Sequence, residues 1–197
     1  MSNTQATPNT TTTGQAISGL GRTWSRPRHI PGLDGRAFKT ESRRDGLRPN
    51  TLERWTVWHK PDPRTAPHTH PWPFVSKIVK GGYKEARWTL NEESGKWEFV
   101  GDFWRKEGDI VIVGKNDAHC VIEVLPGTVT HMLIGALFAG PQDWGHVNLV
   151  THQVESAKAS KEFLDALADL NTDLPEVTPD FQSAFALLTG VSDVSSS

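Results

Sequence analysis

The chain has 197 residues, a formal net charge of -2 and 36% hydrophobic residues, which suits one core rather than several. Both signs of charge are interspersed, so the basic stripe that a nucleic-acid-binding surface needs is missing. The sequence has no run of about 18 apolar residues, and its first twenty positions lack the apolar segment of a secretion signal. We therefore expect a cytoplasmic protein that binds neither nucleic acid nor membranes.

The N-terminal quarter is polar or basic rather than apolar. Residues 1–21 are rich in Thr, Asn, Gln and Ser, so they have little to bury and are predicted to form a disordered tail. Residues 22–51 carry many Arg and Lys side chains interrupted by Pro and Gly. We expect a basic arm over the domain, with anion binding or a subunit contact as the alternative, and a homodimer is left open.

Residues 52–150 are predicted to form an antiparallel β-barrel, because short alternating segments are separated by turn residues. The predicted strands are 52–60, 74–80, 83–90, 97–103, 110–113, 119–125 and 128–138. In the first of them, Trp55, Val57 and His59 share one face, and Arg54, Thr56 and Trp58 share the other. A sandwich or barrel fits this spacing better than a parallel sheet.

The hydrophobic period changes after residue 150, and residues 151–190 are predicted to contain two amphipathic helices. Phe163, Leu167 and Leu170 fall on one face of the first helix. Pro179 and Gly190 mark the ends of the second. We expect both helices to pack outside the sheet, with partner binding as the alternative, and residues 191–197 to form a tail.

Three histidines are the strongest chemical signal in the sequence. His68 and His70 are separated by one residue, so in an extended strand they share a face and can reach one point. The strand and turn that follow Gly108 can return His119 beside them. Neutral imidazole nitrogens suit divalent first-row metals, so we predict a metal site that loses its ion as histidine titrates, at about pH 6.5.

This arrangement resembles the two motifs of the cupin superfamily over residues 52–140. His68 and His70 match the histidines of the first motif, Gly82 its closing glycine, Gly108 the opening glycine of the second motif, and His119 its histidine. The string HPWPFVSKIVKGGYKE also resembles a cupin subgroup with HxHPW and GGYxE signatures and an unsettled activity. The resemblance implies a cupin-like jelly-roll barrel with a metal at the three histidines.

The fourth ligand is where the chain departs from that pattern. The glutamate of the first motif would fall at Val75, which cannot bind a metal. Glu85 is the candidate replacement, as a metal ligand or as an acid/base group together with Tyr83, since an inward acid must be paired or bound. Glu123, four residues past His119, competes for the same role. His59 and His131 are candidates to orient the ligands.

Several functions fit this prediction. The first is a metal-dependent oxidoreductase of dioxygenase type acting on a small molecule, with Fe2+ as the ion and Mn, Ni or Zn as alternatives. The second is a non-catalytic jelly-roll module that binds a ligand or assembles. The third is a metal-dependent isomerase or lyase using Glu85 or Tyr83 as acid/base. The segment Trp144-Gly145-His146 is interpreted as a lid over the barrel.

Overall fold

The computed structural model describes residues 23–49, 51–135 and 144–156, and every regular element within these ranges is a β-strand. The tails predicted at 1–21 and 191–197 lie outside the described residues, as do both predicted helices. The described residues 151–156 end in a short strand. No helix in the described part of the chain is long and apolar enough to cross a membrane.

Eleven strands make up the described fold. In chain order they are β1 (Arg28–Pro31), β2 (Ala37–Asp45), β3 (Leu52–Trp58), β4 (Phe74–Lys80), β5 (Gly82–Asn91), β6 (Lys96–Lys106), β7 (Ile110–Val113), β8 (Asp117–Val124), β9 (Val129–Ile134), β10 (Gly145–Val147) and β11 (Val154–Ser156). The larger sheet has the order β1-β2-β3-β9-β4-β7, the smaller one has the order β6-β5-β8, and β10 pairs with β11. All of these pairs are antiparallel.

The chain crosses repeatedly between the two sheets, since β4 lies in the larger sheet, β5 and β6 in the smaller, β7 in the larger, β8 in the smaller and β9 in the larger. The core lies between them. Phe74, Ile78 and Met132 of the larger sheet join Tyr83 and Val121 of the smaller sheet in one apolar cluster. Antiparallel strands that alternate between two packed sheets in this way form a jelly roll, as the sequence predicts.

The basic stretch 22–51 contributes two strands to the larger sheet. The sequence indicated only an arm here, because no apolar alternation is visible. In β2 the buried residues include Thr40, Glu41 and Ser42, so the strand buries polar side chains that a hydrophobic pattern does not show. β2 pairs along its length with β3, and β1 pairs with β2.

The hairpin between β4 and β5 depends on its two glycines. Gly81 has φ of 72°, a left-handed conformation that glycine adopts at little cost. A Cβ on Gly82 would lie 2.5 Å from the backbone oxygen of Arg105. The absence of that atom lets β6 approach β5 closely, which brings Arg105 within reach of Glu85 on the inner face of the barrel.

Candidate metal centre

The His68 segment is held on both sides by neighbouring strands. His68 donates its backbone N–H to His119 of β8 at 2.8 Å and accepts one from it at 3.1 Å. On the other side, Thr69 donates to Gly145 of β10, also at 2.8 Å. His68 is directly opposite both His119 and His146, so these side chains lie on one face of the sheet.

The three predicted ligands converge. His68, His70 and His119 each offer a ring nitrogen, and these nitrogens all lie within 4.8 Å of one another. Nε2 of His70 is 3.0 Å from Nε2 of His119. His119 is buried and the other two are partly buried. The structure therefore brings together the three histidines as a cluster that could hold a metal ion.

Glu85 lies behind this cluster, at the other nitrogen of His119. It is fully buried, and its Oε2 accepts a hydrogen bond from His119 Nδ1 at 2.9 Å. Its Oε1 accepts a hydrogen bond from Arg105 Nε at 2.8 Å and forms an ion pair with Arg105 Nη2, also at 2.8 Å. A proton on Nδ1 leaves Nε2 of His119 with a lone pair facing His70, which is the tautomer a metal-binding histidine needs.

Asp62 takes a corresponding place behind His68. Its Oδ2 lies 3.9 Å from His68 Nδ1 and accepts the backbone N–H of Val121 at 2.8 Å. The carboxylate is thereby fixed to β8, and its charge favours a proton on the Nδ1 side of His68. Sequence reasoning missed Asp62, which follows a proline in the loop after β3 and gives no periodic signal.

Burial keeps the imidazoles of His68 and His70 neutral. Burial lowers the pKa of His68 to about 3, although Asp62 opposes the shift. Burial also holds the pKa of His70 well below its usual value. For Glu85, burial alone would raise the pKa, but the hydrogen bonds and charges of His119 and Arg105 outweigh it and lower the pKa. At neutral pH His68 and His70 therefore present neutral nitrogens, and Glu85 is ionised.

The spacing of the nitrogens fits a bound ion. A typical metal–imidazole bond is about 2.1 Å, so two nitrogens at right angles around one ion lie about 3.0 Å apart. His70 and His119 have this separation between their Nε2 atoms. Without a shared proton or cation, two lone pairs at that distance would repel each other. The donor set is therefore suited to a divalent first-row ion.

The remaining predicted residues lie apart from the three nitrogens. Tyr83 is buried in the core with its ring centroid 6.1 Å from that of Trp58, and burial raises its pKa. Glu123 has a side chain 58% exposed and pairs with Lys84. A bulge explains this position: Glu85 is opposite Val121, whereas Lys84 is opposite Glu123, so the strand changes face between them.

The two histidines considered as ligand-orienting residues lie on the outer face of the larger sheet. His131 stacks on Trp55, with ring centroids 4.8 Å apart, and His59 Nε2 is 2.8 Å from Thr40 Oγ1. Glu85 is hydrogen-bonded to His119 instead, and the Asp62 carboxylate lies 3.9 Å from His68 Nδ1. Polar partners on the inner faces of neighbouring strands could not be inferred from spacing within one strand.

Phe74 and His146 border the cluster. The Phe74 ring centroid is 4.9 Å from that of His70, and Val75, at the position of the usual glutamate, is partly exposed instead. The rings of His146 and His68 are 6.1 Å apart. The segment interpreted as a lid is thus strand β10, an added edge of the histidine-bearing sheet.

No protein-family model and no curated protein matches the sequence. Among solved structures, the chain is similar to KdgF from Halomonas sp., with 12% identity over 48% of this chain and 78% of that one and a TM-score of 0.35. It is also similar to Pac13 of Streptomyces, described as a unique nucleoside dehydratase, with 9% identity over 61% of this chain and 84% of that one and a TM-score of 0.39. Likenesses this distant define neither a family nor a function for this chain.

Proposed function

We propose that the protein is a metal-dependent enzyme of the cupin superfamily, an oxidoreductase of dioxygenase type acting on a small molecule. The observation that carries the proposal is the convergence of three ring nitrogens inside a jelly roll, with the Glu85 carboxylate fixing the tautomer of His119. In this proposal His68, His70 and His119 hold one divalent ion. Fe2+ is the first choice, and Mn, Ni or Zn are alternatives.

Each residue has a distinct task in this site. His68 and His70 present neutral nitrogens, because burial lowers the pKa of both imidazoles. Glu85 and Arg105 hold His119 in one orientation, and Phe74 closes one side with an apolar ring. When bound, the ion would supply open positions at which dioxygen and the substrate meet.

Dioxygenase chemistry is preferred because the predicted acid/base groups are already engaged. Both oxygens of Glu85 accept hydrogen bonds, from His119 and from Arg105. Tyr83 lies in the core, where burial holds its proton. A reaction centred on the metal needs neither group as a proton carrier. An isomerase or lyase that used them would have to break these contacts first.

A metal-dependent lyase or isomerase remains the second candidate, with one observation in its favour. His146 lies directly opposite His68, beside the cluster but outside it. An imidazole at that position could move a proton to or from a substrate held at the three histidines. Dependence of turnover on His146 without oxygen uptake would select this function.

The test combines metal content with oxygen uptake. Wild type is loaded with Fe2+ under nitrogen, desalted and measured by elemental analysis beside His119→Ala, with His59→Ala as the control on the outer face. We expect about one iron per chain in wild type and control and none in His119→Ala. Oxygen consumption is then recorded against a panel of small metabolites.

Three results would count against the proposal. Equal iron in wild type and His119→Ala would remove the metal site. Stoichiometric iron with no oxygen uptake in any assay would favour a non-catalytic ligand-binding module. Turnover that proceeds equally well without oxygen would replace the dioxygenase with a lyase or isomerase.

A further inference from the structure

The inner face of the larger sheet carries charged side chains opposite the histidines. Arg54 of β3 is directly opposite Met132 of β9 and Arg43 of β2, and Met132 belongs to the core cluster between the sheets. Glu41 is opposite Thr56 in the next inward row. Trp58, two residues further along, faces the same side and belongs to that core cluster. Arg54 therefore points into the barrel rather than towards solvent.

The guanidinium of Arg54 is buried but poorly satisfied. The residue is only 8% exposed, and its Nη2 donates to the thioether sulfur of Met132 at 3.0 Å, a weak acceptor. Its Nη1 is 3.6 Å from Glu41 Oε2, beyond a hydrogen bond. Among the described residues, Arg54 Nε and the neighbouring Thr56 Oγ1 have no hydrogen-bond partner. A buried cation with open donors lacks the oxygen ligands it needs.

Other arginines of the same sheet show what full pairing looks like. Arg44 on the outer face donates to Glu53 Oε2 from Nε at 3.0 Å and from Nη2 at 2.6 Å. Its guanidinium also lies 4.4 Å from the ring of Trp24. Glu41 is already bound by Arg43. Glu41 Oε2, the oxygen nearest to Arg54, lies 3.6 Å away and accepts no hydrogen bond from the described part of the chain. Arg54 and Glu41 therefore form a loose ion pair, which leaves Nε of the Arg54 fork open.

The open fork belongs to the same interior as the metal cluster. Met132, whose sulfur accepts from Arg54, belongs to the same core cluster as Phe74, and the Phe74 ring centroid lies 4.9 Å from that of His70. Lys39 lies directly opposite Trp58, with Nζ 5.3 Å from the Trp58 ring. Burial lowers the pKa of Lys39 to about 8. Two cations therefore lie on the larger sheet, across the core from strand β8, which carries His119.

We propose that Arg54, assisted by Lys39, binds the carboxylate of a small-molecule substrate whose reacting end lies at the histidine cluster. The planar fork of arginine matches a carboxylate through paired N–H···O bonds. Thr56 Oγ1 supplies a further donor beside it. The substrate class rests on the proposed enzyme function, but carboxylate binding itself does not require the metal.

The experiment compares the binding of a carboxylate with the binding of the uncharged amide of the same shape. Acetate and benzoate are each compared with the corresponding amide, by calorimetry and by the shift in Tm, in a buffer without chloride. Wild type, Arg54→Met, Arg54→Lys and Arg44→Met are measured, metal-free and after loading with Co2+. Arg44→Met removes the same charge from the outer face and is the matched control.

We expect wild type and Arg44→Met to bind at least one of the two carboxylates in preference to its amide. Arg54→Met should bind it at least about tenfold more weakly, because charged hydrogen bonds are lost. The carboxylate affinity of Arg54→Lys should lie between those of wild type and Arg54→Met, because lysine keeps the charge but lacks the planar fork of donors. In the loaded protein, the visible Co2+ spectrum should change with the carboxylate and not with the amide.

The outcomes separate the two proposals. If wild type fails to prefer carboxylate over amide, the Arg54 site is wrong, and that comparison needs no variant to fold. An equal loss of carboxylate affinity in Arg44→Met and Arg54→Met would also overturn the Arg54 site. Carboxylate binding without Co2+ uptake would overturn the metal site alone, and Co2+ uptake without carboxylate preference would overturn the Arg54 site alone.

Discussion

Two buried charged groups lie on the inner faces of opposite sheets, and their hydrogen bonding differs sharply. Glu85 on the smaller sheet is fully buried, and each of its two oxygens accepts a hydrogen bond, one from His119 and one from Arg105, which also forms an ion pair with it. Arg54 on the larger sheet is nearly as buried, but it has a thioether and a carboxylate at 3.6 Å as its neighbours. We call Glu85 the closed group, because both of its oxygens accept hydrogen bonds from the protein. We call Arg54 the open group, because its Nε has no hydrogen-bond partner among the described residues.

The difference indicates what each group is for. Buried polar groups in folded proteins are almost always paired, and removing one partner from a satisfied network is strongly destabilising. Glu85 therefore fixes the histidine that it bonds. Arg54 has only a loose ion pair with Glu41 at 3.6 Å, and its Nε has no hydrogen-bond partner among the described residues. This agrees with the carboxylate-binding role that we propose for it. Four perturbations separate the closed group from the open one.

The largest effect is expected from the histidine that the closed group holds. His119→Ala removes one of three nitrogen donors and leaves the core of Phe74, Ile78 and Met132 in place. Loss of a residue that only orients a metal ligand lowers metal affinity by up to about 100-fold. Because His119 is itself a proposed ligand, its loss should lower metal affinity by more than this, while the fold persists. Elemental analysis and the circular dichroism spectrum measure both, and a variant that keeps its metal would contradict the ligand set.

Glu85→Gln opens the closed group without removing any histidine. The amide can still accept from His119 Nδ1, but its NH2 meets the donors of Arg105, so metal affinity should fall by about 10- to 100-fold. The free energy of unfolding should fall by about 2 kcal/mol, less than for a fully buried pair because Arg105 is 20% exposed. Metal titration and urea denaturation report the two effects.

Glu123→Gln is the matched control, because that side chain is 58% exposed. It should change neither quantity measurably. If Glu85→Gln binds no metal at all, Glu85 acts as a ligand in the metal-bound protein. If it behaves like Glu123→Gln, the bond to His119 has no orienting role.

Acid should destabilise the metal-free protein through the histidines in front of the closed group. The folded-state pKa of His68 is about 3, and the unfolded value is about 6.5. Between them the unfolded chain binds the proton and the folded chain does not, so stability falls as pH falls through this window. From pH 7 to pH 5 the expected loss is of the order of 2 kcal/mol for this histidine.

Urea denaturation of metal-free wild type and His68→Asn at pH 7, 6 and 5 measures this loss. The free energy of unfolding of the variant should depend less on pH, and parallel curves for the two proteins would contradict a lowered pKa of His68.

The lowered pKa values of these histidines also affect the pH at which the metal is released. Because protons compete weakly with the ion for these nitrogens, we now expect release well below the value of about pH 6.5 that free histidine suggests.

The smallest effect is expected at the open group. Arg54→Met removes a buried charge with few hydrogen bonds and replaces it with an apolar side chain of similar length. Glu41 keeps its hydrogen bond from Arg43 when its more distant partner Arg54 is removed. The free energy of unfolding should therefore fall by less than it does for Glu85→Gln in the absence of carboxylates. Urea denaturation beside Glu85→Gln measures the contrast, and an equal loss in both variants would make Arg54 a structural residue.

The histidine cluster was the most predictable part of the site. His68 and His70 share a face because of their spacing, and the turn after Gly108 returns His119. The arrangement around them was less predictable. The role of Glu85 depends on Arg105 of the next strand, and the position of Glu123 depends on a bulge. Neither a cross-strand contact nor a bulge leaves a local mark in the sequence.

The fold shows the same limits. The bounds of β4 and β7 were predicted, because both strands have continuous pairing and clear turns. β3 has two aromatic faces, and the sequence alone does not say which one is inward. Trp58 faces the core, whereas Trp55 is buried at 7% exposure on the outer face, against Trp24 and His131. Arg54 was therefore not recognised as an interior residue.

The double pairing of the His68 segment has a consequence for the order in which the chain folds. His68 bonds to β8 on one side, and its neighbours Pro67 and Thr69 bond to β10 on the other. Both strands lie far downstream, and closing long loops is slow and entropically unfavourable. We therefore expect the three histidines to be fixed only late, after the hairpin of β5 and β6 has formed. Metal uptake should accordingly lag behind the formation of the sheets during refolding.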